Sequence, residues 1–270
     1  MKRDHLSVCK ACGEIEHIVA RYNGDSNHEQ SRKPNDRLAC ASLSLREQEI
    51  TLIAHTTTNA GLHEFVAKHV LANYAKKGLC AVDLGSGPGA MASRLHVLGC
   101  NVLAVDRTAD GFMVGLPHIV IDFDRNDFAS QLGPGSFDLI TAIEVIEHVE
   151  SPIGFLRNIR SLLAPTGVAV LTTPNVESLP ARAKFFLTGR IRTMDRFSEP
   201  THISPIFWDL LRRQFLPRAG LNVREHLLFP PRSYQLSRKL IAWSFRIAGT
   251  FMSNECVFGD NHVFVLEVTH

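Results

Sequence analysis

Tyrosine and tryptophan are scarce, three and two in 270 residues. Platforms on which nucleic-acid bases stack are therefore few, which weighs against a nucleic-acid partner. Cysteine is sparse too: Cys9, Cys12, Cys40, Cys80, Cys100 and Cys256 lie scattered along the chain. That usage suits a reducing cytoplasm better than a disulfide scaffold. Cys9 and Cys12 form one CxxC, flanked by His5 and His17, but no second ligand pair follows at similar spacing. Structural zinc needs such a pair, so a polar arm with incidental thiols is expected there. The stretch MKRDHLSVCKACG has no apolar core of the signal-peptide kind. No uncharged apolar run reaches the roughly 20 residues of a membrane span; the best, LIAWSFRIAGTFM, is broken by Arg246. A cytoplasmic protein is expected.

What is present is an ordinary globular composition, 45% hydrophobic and 21% charged. The net charge of +2 hides an uneven distribution, with 13 Lys/Arg against four Asp/Glu between Pro180 and Thr250. A basic C-terminal third favours phosphate, sugar-phosphate or acidic lipid headgroups. The plainer reading is a solvated face whose long side chains cover apolar surface.

Residues 1–50 are polar, and RYNGDSNHEQSRKPNDR reads as a loop or disordered arm. Residues 51–270 read as one domain. It opens with a helix over GLHEFVAKHVLANYAKKG, where Leu62, Phe65, Val66, His69, Val70 and Tyr74 recur at helical spacing. Five short apolar runs follow: CAVDLG, NVLAVD, HIVIDFD, FDLITAIE and VAVLTTP. Helical stretches such as AMASRLHVLG and SPIGFLRNIRSLL separate them. Alternation of this kind specifies βαβ units around a parallel sheet buried on both faces. LNVREHLLF and HVFVLEVTH read as two further strands. The fold class is α/β.

In such sheets ligands bind beyond the carboxyl ends of the strands. VDLGSGPGA puts Gly85, Gly87 and Gly89 there, between the first strand and a helix N-terminus with free N–H groups. Asp106 ends the second strand, about twenty residues on, where a ribose-binding carboxylate belongs. Asp122 ends the third. Asp83 stands two residues before the first glycine, opposing a pyrophosphate but suiting an amino group or a sulfonium.

VDLGSGPGA, VLAVD, FDLITAIEVIEHVESP, LLAPTGVAVLTTPN and THISPIFW together resemble the ordered motifs of class I S-adenosylmethionine-dependent methyltransferases. The nearest groups are the small-molecule and ubiquinone-biosynthesis-like O-methyltransferases. The resemblance covers residues 60–225 and the final strand. It implies a Rossmann-like, seven-stranded, mostly parallel sheet with the last strand antiparallel and helices on both faces. It implies S-adenosyl-L-methionine as cofactor, with Asp83, Gly85, Ser86 and Gly87 around its methionine end and Asp106 on its ribose. Asp122 and Phe123 would lie at the adenine. The usual PGG before strand five is Pro165-Thr166-Gly167 here.

Methyl transfer to a hydroxyl needs alignment and removal of a proton. EVIEH begins at the end of strand four, with Glu144 before a helix and Glu147 and His148 in its first turn. Glu144, His148 and the downstream His202 are the catalytic candidates, and Glu144 also borders the cofactor. Carboxylates at a helix start also serve the dipole alone, which is the bland account of Glu147. A similar two-Glu, two-His set binds a divalent ion in small-RNA 2′-O-methyltransferases, yet metal-independent members carry EVIEH as well. Metal use therefore stays open. A metal-dependent RNA 2′-O-methyltransferase and a non-catalytic cofactor-binding module are the alternatives.

Residues 176–253 should cover the acceptor. SRKLIAWSFRIAGTFM is amphipathic if helical: Leu236, Leu240, Ile247 and Phe251 share a face, with Ile241, Phe245, Ala248 and Met252 beside it. Such a helix packs into the core, covers an apolar acceptor, or rests on an anionic membrane. With the basic excess, this suggests a small-molecule, lipid-linked or glycan acceptor, anionic or partly apolar, met at the inner face of the membrane.

Overall fold

A computed structural model describes residues 58–195, 199–236, 239–252 and 255–269. The expected arm at residues 1–50, with Cys9 and Cys12, lies outside them. The apolar runs form one seven-stranded sheet: β1 (Cys80–Leu84), β2 (Asn101–Asp106), β3 (His118–Val120), β4 (Phe137–Ile143), β5 (Leu163–Pro174), β6 (Leu221–Phe229) and β7 (Asn261–Val268). The spatial order is β3-β2-β1-β4-β5-β7-β6, parallel throughout except for β7, which runs against both of its neighbours. The seven-stranded, Rossmann-like arrangement expected from the motifs is present.

The two-residue period of a strand divides the core in two. Cys80, Val82 and Leu84 face one hydrophobic cluster and Ala81 the other. On the first face lie α3 (Ala129–Leu132), α4 (Pro152–Leu162) and α6, a helix running through Trp208–Leu210, Leu211–Phe215 and Leu216–Ala219. On the second lie α1, which runs through Leu62–Val66, Ala67–Leu71 and Ala72–Tyr74, and α2 (Ala90–Val97). Two further helices, α5 (Leu179–Thr188) and α7 (Lys239–Thr250), pack on each other beside the sheet. The strand order turns back between β1 and β4, which opens a crevice at their carboxyl ends.

Four expectations need correction. The wide turn Ala67–Leu71 adds a residue to α1, so Leu71 turns inward and His69 is exposed. β3 stops at Val120, and Asp122 stands two residues beyond it. Glu147 and His148 do not open a long helix: they occupy a separate 3₁₀ turn, Ile146–His148, and Val149 is extended. The helix begins at Pro152, whose ring presets its first φ, with the Ser151 hydroxyl accepting from the Gly154 N–H at 3.1 Å. Finally, α7 does not pack into the core. Only Gly249 in it is buried, while Leu240 and Phe251 are 84% and 85% exposed.

Candidate active site

The loop after β1 is shaped by what it must pass. Gly85 has φ +74°, and a Cβ there would lie 2.4 Å from Val145 Cγ2 at the end of β4. No side chain fits, so the backbone of the loop itself forms the floor. Gly87, also at positive φ, turns its N–H onto Asp106 Oδ2 at 2.7 Å. Asp106 Oδ1 takes the Arg107 N–H at 2.7 Å, which fixes the carboxylate at the tip of β2. Asp83 is buried beneath the loop. The Thr141 hydroxyl donates to its Oδ1 at 2.7 Å, while Oδ2 has no hydrogen-bond partner among the described residues. Burial pushes the Asp83 carboxyl up to about 7. The Ser86 hydroxyl is likewise buried without a partner there.

Beyond β3 the two expected adenine residues separate. Phe123 is 6% exposed, packs edge-on against Phe128 and Phe155, and lines the cleft. Asp122 is exposed; its Oδ1 accepts from the Asp124 N–H and stands 3.6 Å from Arg107 Nε.

After β4 the chain takes a left-handed step at Glu144, φ +54°, a conformation costly for a residue with a Cβ. The Glu144 N–H bonds the Thr172 hydroxyl on β5 at 3.0 Å, and the Asn261 amide of β7 donates to its carboxylate. Burial raises the Glu144 carboxyl to about 7, against the pull of the Asn261 bond. Glu147 is fully buried, and neither oxygen has a hydrogen-bond partner among the described residues. Burial first, and the Glu144 charge second, lift it well above the ordinary carboxylate range. Its backbone carbonyl accepts from the Ile203 and Ser204 N–H groups at 2.9 Å each, which draws the His202 loop over the turn.

His202 therefore reaches His148: the ring centroids are 4.5 Å apart, edge to face. His148 Nδ1 lies 3.2 Å from the Thr201 carbonyl, and His202 Nδ1 lies 2.8 Å from that of Thr193. A carbonyl can only accept, so each Nδ1 carries the hydrogen and each Nε2 keeps its lone pair. Burial lowers both imidazoles below their ordinary value, and the His202 charge lowers His148 further. Glu147, His148 and His202 offer ligand atoms within 4.8 Å of one another. Glu144 stands outside this group, held by Asn261.

Gly85, Gly87, Asp106, Phe123, Glu144, His148 and His202 thus share one cleft of about 450 Å³, joined on its walls by Arg107, Glu199 and Thr201. Asp83 and Ser86 line a smaller hollow, about 40 Å³, that shares Gly85 and Gly87 with it. Asp122 is not brought to the walls of either. Sequence reasoning missed Thr141 under Asp83, and Asn261 with the Asn59 amide that donates to it at 2.6 Å. No motif marks Asn261, since only the pairing of β7 onto β5 carries it to Glu144.

The sequence matches the methyltransferase domain family over residues 58–226. The chain belongs to the S-adenosylmethionine-dependent methyltransferases. Among curated relatives, it is 29% identical over 189 residues to the ubiquinone biosynthesis O-methyltransferase of Roseobacter denitrificans, covering 66% of this chain and 71% of that protein. It is 33% identical over 115 residues to the Xanthomonas campestris enzyme of the same name, covering 40% of this chain and 48% of that one. A solved S-adenosylmethionine-dependent methyltransferase from Archaeoglobus fulgidus superposes with a TM-score of 0.55 at 17% identity, over 76% of this chain and 93% of that one. The 1,6-didemethyltoxoflavin-N1-methyltransferase of Burkholderia thailandensis does so with 0.52 at 13%, over 90% and 99%. At these identities the structural likeness is one of fold.

The methyltransferase presents residues that fit its cofactor. The orphaned Asp83 Oδ2 offers an acceptor at the floor that ionises to meet an ammonium, the side-chain-free Gly85 allows close approach, and Phe123 supplies an apolar wall. The loop is undamaged, so the reading as a non-catalytic module is set aside.

Proposed function

We propose that the methyltransferase acts on a hydroxyl of a small-molecule, lipid-linked or glycan acceptor that is anionic or partly apolar. Asp83, Gly85, Ser86 and Gly87 hold the amino-acid end of the cofactor, Asp106 its ribose hydroxyls and Phe123 its adenine. Bound S-adenosylmethionine supplies an electrophilic methyl group for in-line displacement. His148 takes the hydroxyl proton on Nε2 and keeps its tautomer through the Thr201 carbonyl. His202 positions that ring from its edge. Glu144, anchored by Asn261, fixes part of the cleft wall. The observation that carries this reading is His148 in the cleft with its Nε2 lone pair free. Incubation with labelled cofactor and fractionated host extract tests it. Label in a base-stable ether of a lipid, quinol or glycan fraction supports it; label confined to protein or RNA overturns it.

Asp83 gives a calorimetric signature. Its carboxyl, at about 7 through burial, is mostly protonated at pH 6 and must ionise to meet an ammonium. Cofactor binding should release close to one proton at pH 6 and almost none above pH 8, read from the buffer dependence of the binding enthalpy. Asp83→Asn should remove the release. An unchanged release in that variant excludes the assigned contact.

A lipid-linked acceptor is favoured by the surface of α5 and α7. Phe186 and Leu187 are 87% and 77% exposed, Leu240 and Trp243 project from α7, and Phe251 projects from the turn after it. Arg232 and Arg246 border a groove of about 570 Å³ beside Trp243. Apolar side chains rimmed by arginine suit an anionic bilayer surface. No helix among the described residues is long and apolar enough to cross a membrane. Wild type should sediment with anionic vesicles at low salt, and Trp243→Ala/Phe251→Ala should weaken that by at least about tenfold, given the apolar area lost. Equal sedimentation of the two proteins removes the membrane from the reading.

Transfer assisted by a divalent ion, as in RNA 2′-O-methylation, is favoured by the approach of Glu147, His148 and His202. Activity lost to a chelator and restored by Mn²⁺ or Mg²⁺ would mark it. Activity indifferent to chelation leaves His148 as the base.

A further inference from the structure

A second group of ligating side chains lies outside the catalytic cleft. Glu177, Cys256 and His262 bring a carboxylate oxygen, Sγ and a ring nitrogen within 4.8 Å of one another. They come from three separate places: the turn between β5 and α5, the segment after α7, and the second residue of β7. Cys256 and His262 are buried, at 1% and 0% exposure. None of the three lines the cleft that holds His148.

His262 carries the decisive observation. Its Nε2 is buried with no hydrogen-bond partner among the described residues, which costs free energy unless something meets it. Its Nδ1 lies 2.9 Å from His226 Nε2. His226 is itself fixed, stacked on Phe264 and tilted against Trp208. With the hydrogen on His262 Nδ1 donated to His226, the His262 Nε2 keeps its lone pair. This is how a metal-bound histidine is oriented from its far nitrogen. Glu177 is fixed as well, since its Oε2 accepts the Trp208 N–H at 2.5 Å and leaves Oε1 to serve a ligand. Ser178, next in the chain, keeps a buried hydroxyl without a partner among the described residues. The adjoining Leu179 N–H bonds the carbonyl of Val257, the neighbour of Cys256, at 3.0 Å.

We propose that Glu177, Cys256 and His262 form a binding site for a zinc-type divalent ion, which clips the α5 entry and the segment after α7 to β7. Mixed sulfur, nitrogen and oxygen donors suit zinc rather than magnesium or calcium. Closure asks the ligand atoms to contract to roughly 3.3–3.8 Å from one another, as on a tetrahedral ion. Binding exchanges the Cys256 S–H bond for a metal–thiolate bond, and the proton leaves to solvent. Of the three, Glu177 lines an apolar cavity of about 340 Å³. The ion would hold the substrate cover in place and take no part in methyl transfer.

Cobalt titration of the chelator-stripped, full-length chain tests the site. Co²⁺ alone should produce one equivalent of a thiolate-to-cobalt charge-transfer band, displaced by Zn²⁺. The Glu147, His148 and His202 group has no sulfur and cannot give that band. Cys9→Ser/Cys12→Ser should retain it and Cys256→Ser should lose it. The proposal is overturned if no thiolate band forms, or if the band survives Cys256→Ser and vanishes with Cys9 and Cys12. Glu177→Gln keeps an acceptor for the Trp208 N–H and serves if Cys256→Ser does not fold. It should weaken Co²⁺ binding at least about tenfold, and unchanged affinity overturns the proposal equally.

Discussion

Asp106→Ala should lower S-adenosylmethionine affinity by about a hundredfold or more, measured by calorimetry. Two losses combine in that variant. The Gly87 N–H loses the Oδ2 acceptor that holds the loop against β2, and on the proposed placement the ribose hydroxyls lose a carboxylate. Hydrogen bonds to a charged group contribute about 1.5–3 kcal/mol each, and a factor of ten in affinity is about 1.4 kcal/mol. Two ribose contacts alone therefore reach a hundredfold. Asp106→Asn keeps one acceptor oxygen and should lie between wild type and alanine. Asp122→Asn, at an exposed residue facing Arg107, should change affinity by less than about threefold, as surface charges do. An Asp106→Ala protein that is folded by circular dichroism, and binds the cofactor within threefold of wild type, removes Asp106 from the ribose.

The contrast between these two aspartates shows what the chain could reveal in advance. The place of Asp106 in the cleft was legible because it needs only local facts: a strand, its end, and a glycine loop at a fixed distance. Asp83 and the glycines were legible for the same reason, and so was the seven-stranded sheet, since a strand buried on both faces reads as an unbroken apolar run. Asp122 is kept off the cleft walls because β3 ends early, and two further residues carry its carboxylate into solvent. Asn261 was invisible, as nothing near it in sequence anticipates that antiparallel pairing with β5 will deliver its amide to Glu144. The meeting of His202 with His148 rested on resemblance alone until the Glu147 carbonyl was seen to draw the later loop inward. The exposure of α7 lies beyond periodicity as well. An amphipathic pattern says that a helix has an apolar face but not what covers it.

His148→Ala should cut kcat by roughly a hundredfold to ten-thousandfold, the range a positioned general base supplies, while cofactor affinity stays within a few-fold. The split follows from what holds the ring, because His148 Nδ1 bonds the Thr201 carbonyl and the glycine loop keeps its own bond to Asp106. The pH profile separates a base from a structural imidazole. Burial, and then the neighbouring His202 charge, holds His148 below its ordinary value. The base form should therefore be complete by neutral pH, and kcat/KM should rise only on the acid side of the usual imidazole range. His202→Ala removes the second of those causes, so the rise should move to higher pH with a smaller loss of kcat. An added imidazole should recover part of the rate in His148→Ala but not in His202→Ala, because only the first leaves a vacant place for a base. Wild-type turnover in His148→Ala, or a profile that stays fixed when His202 is removed, would assign the proton to another group. Glu144, raised to about 7 and half-buried in the same cleft, would then be the next residue to test.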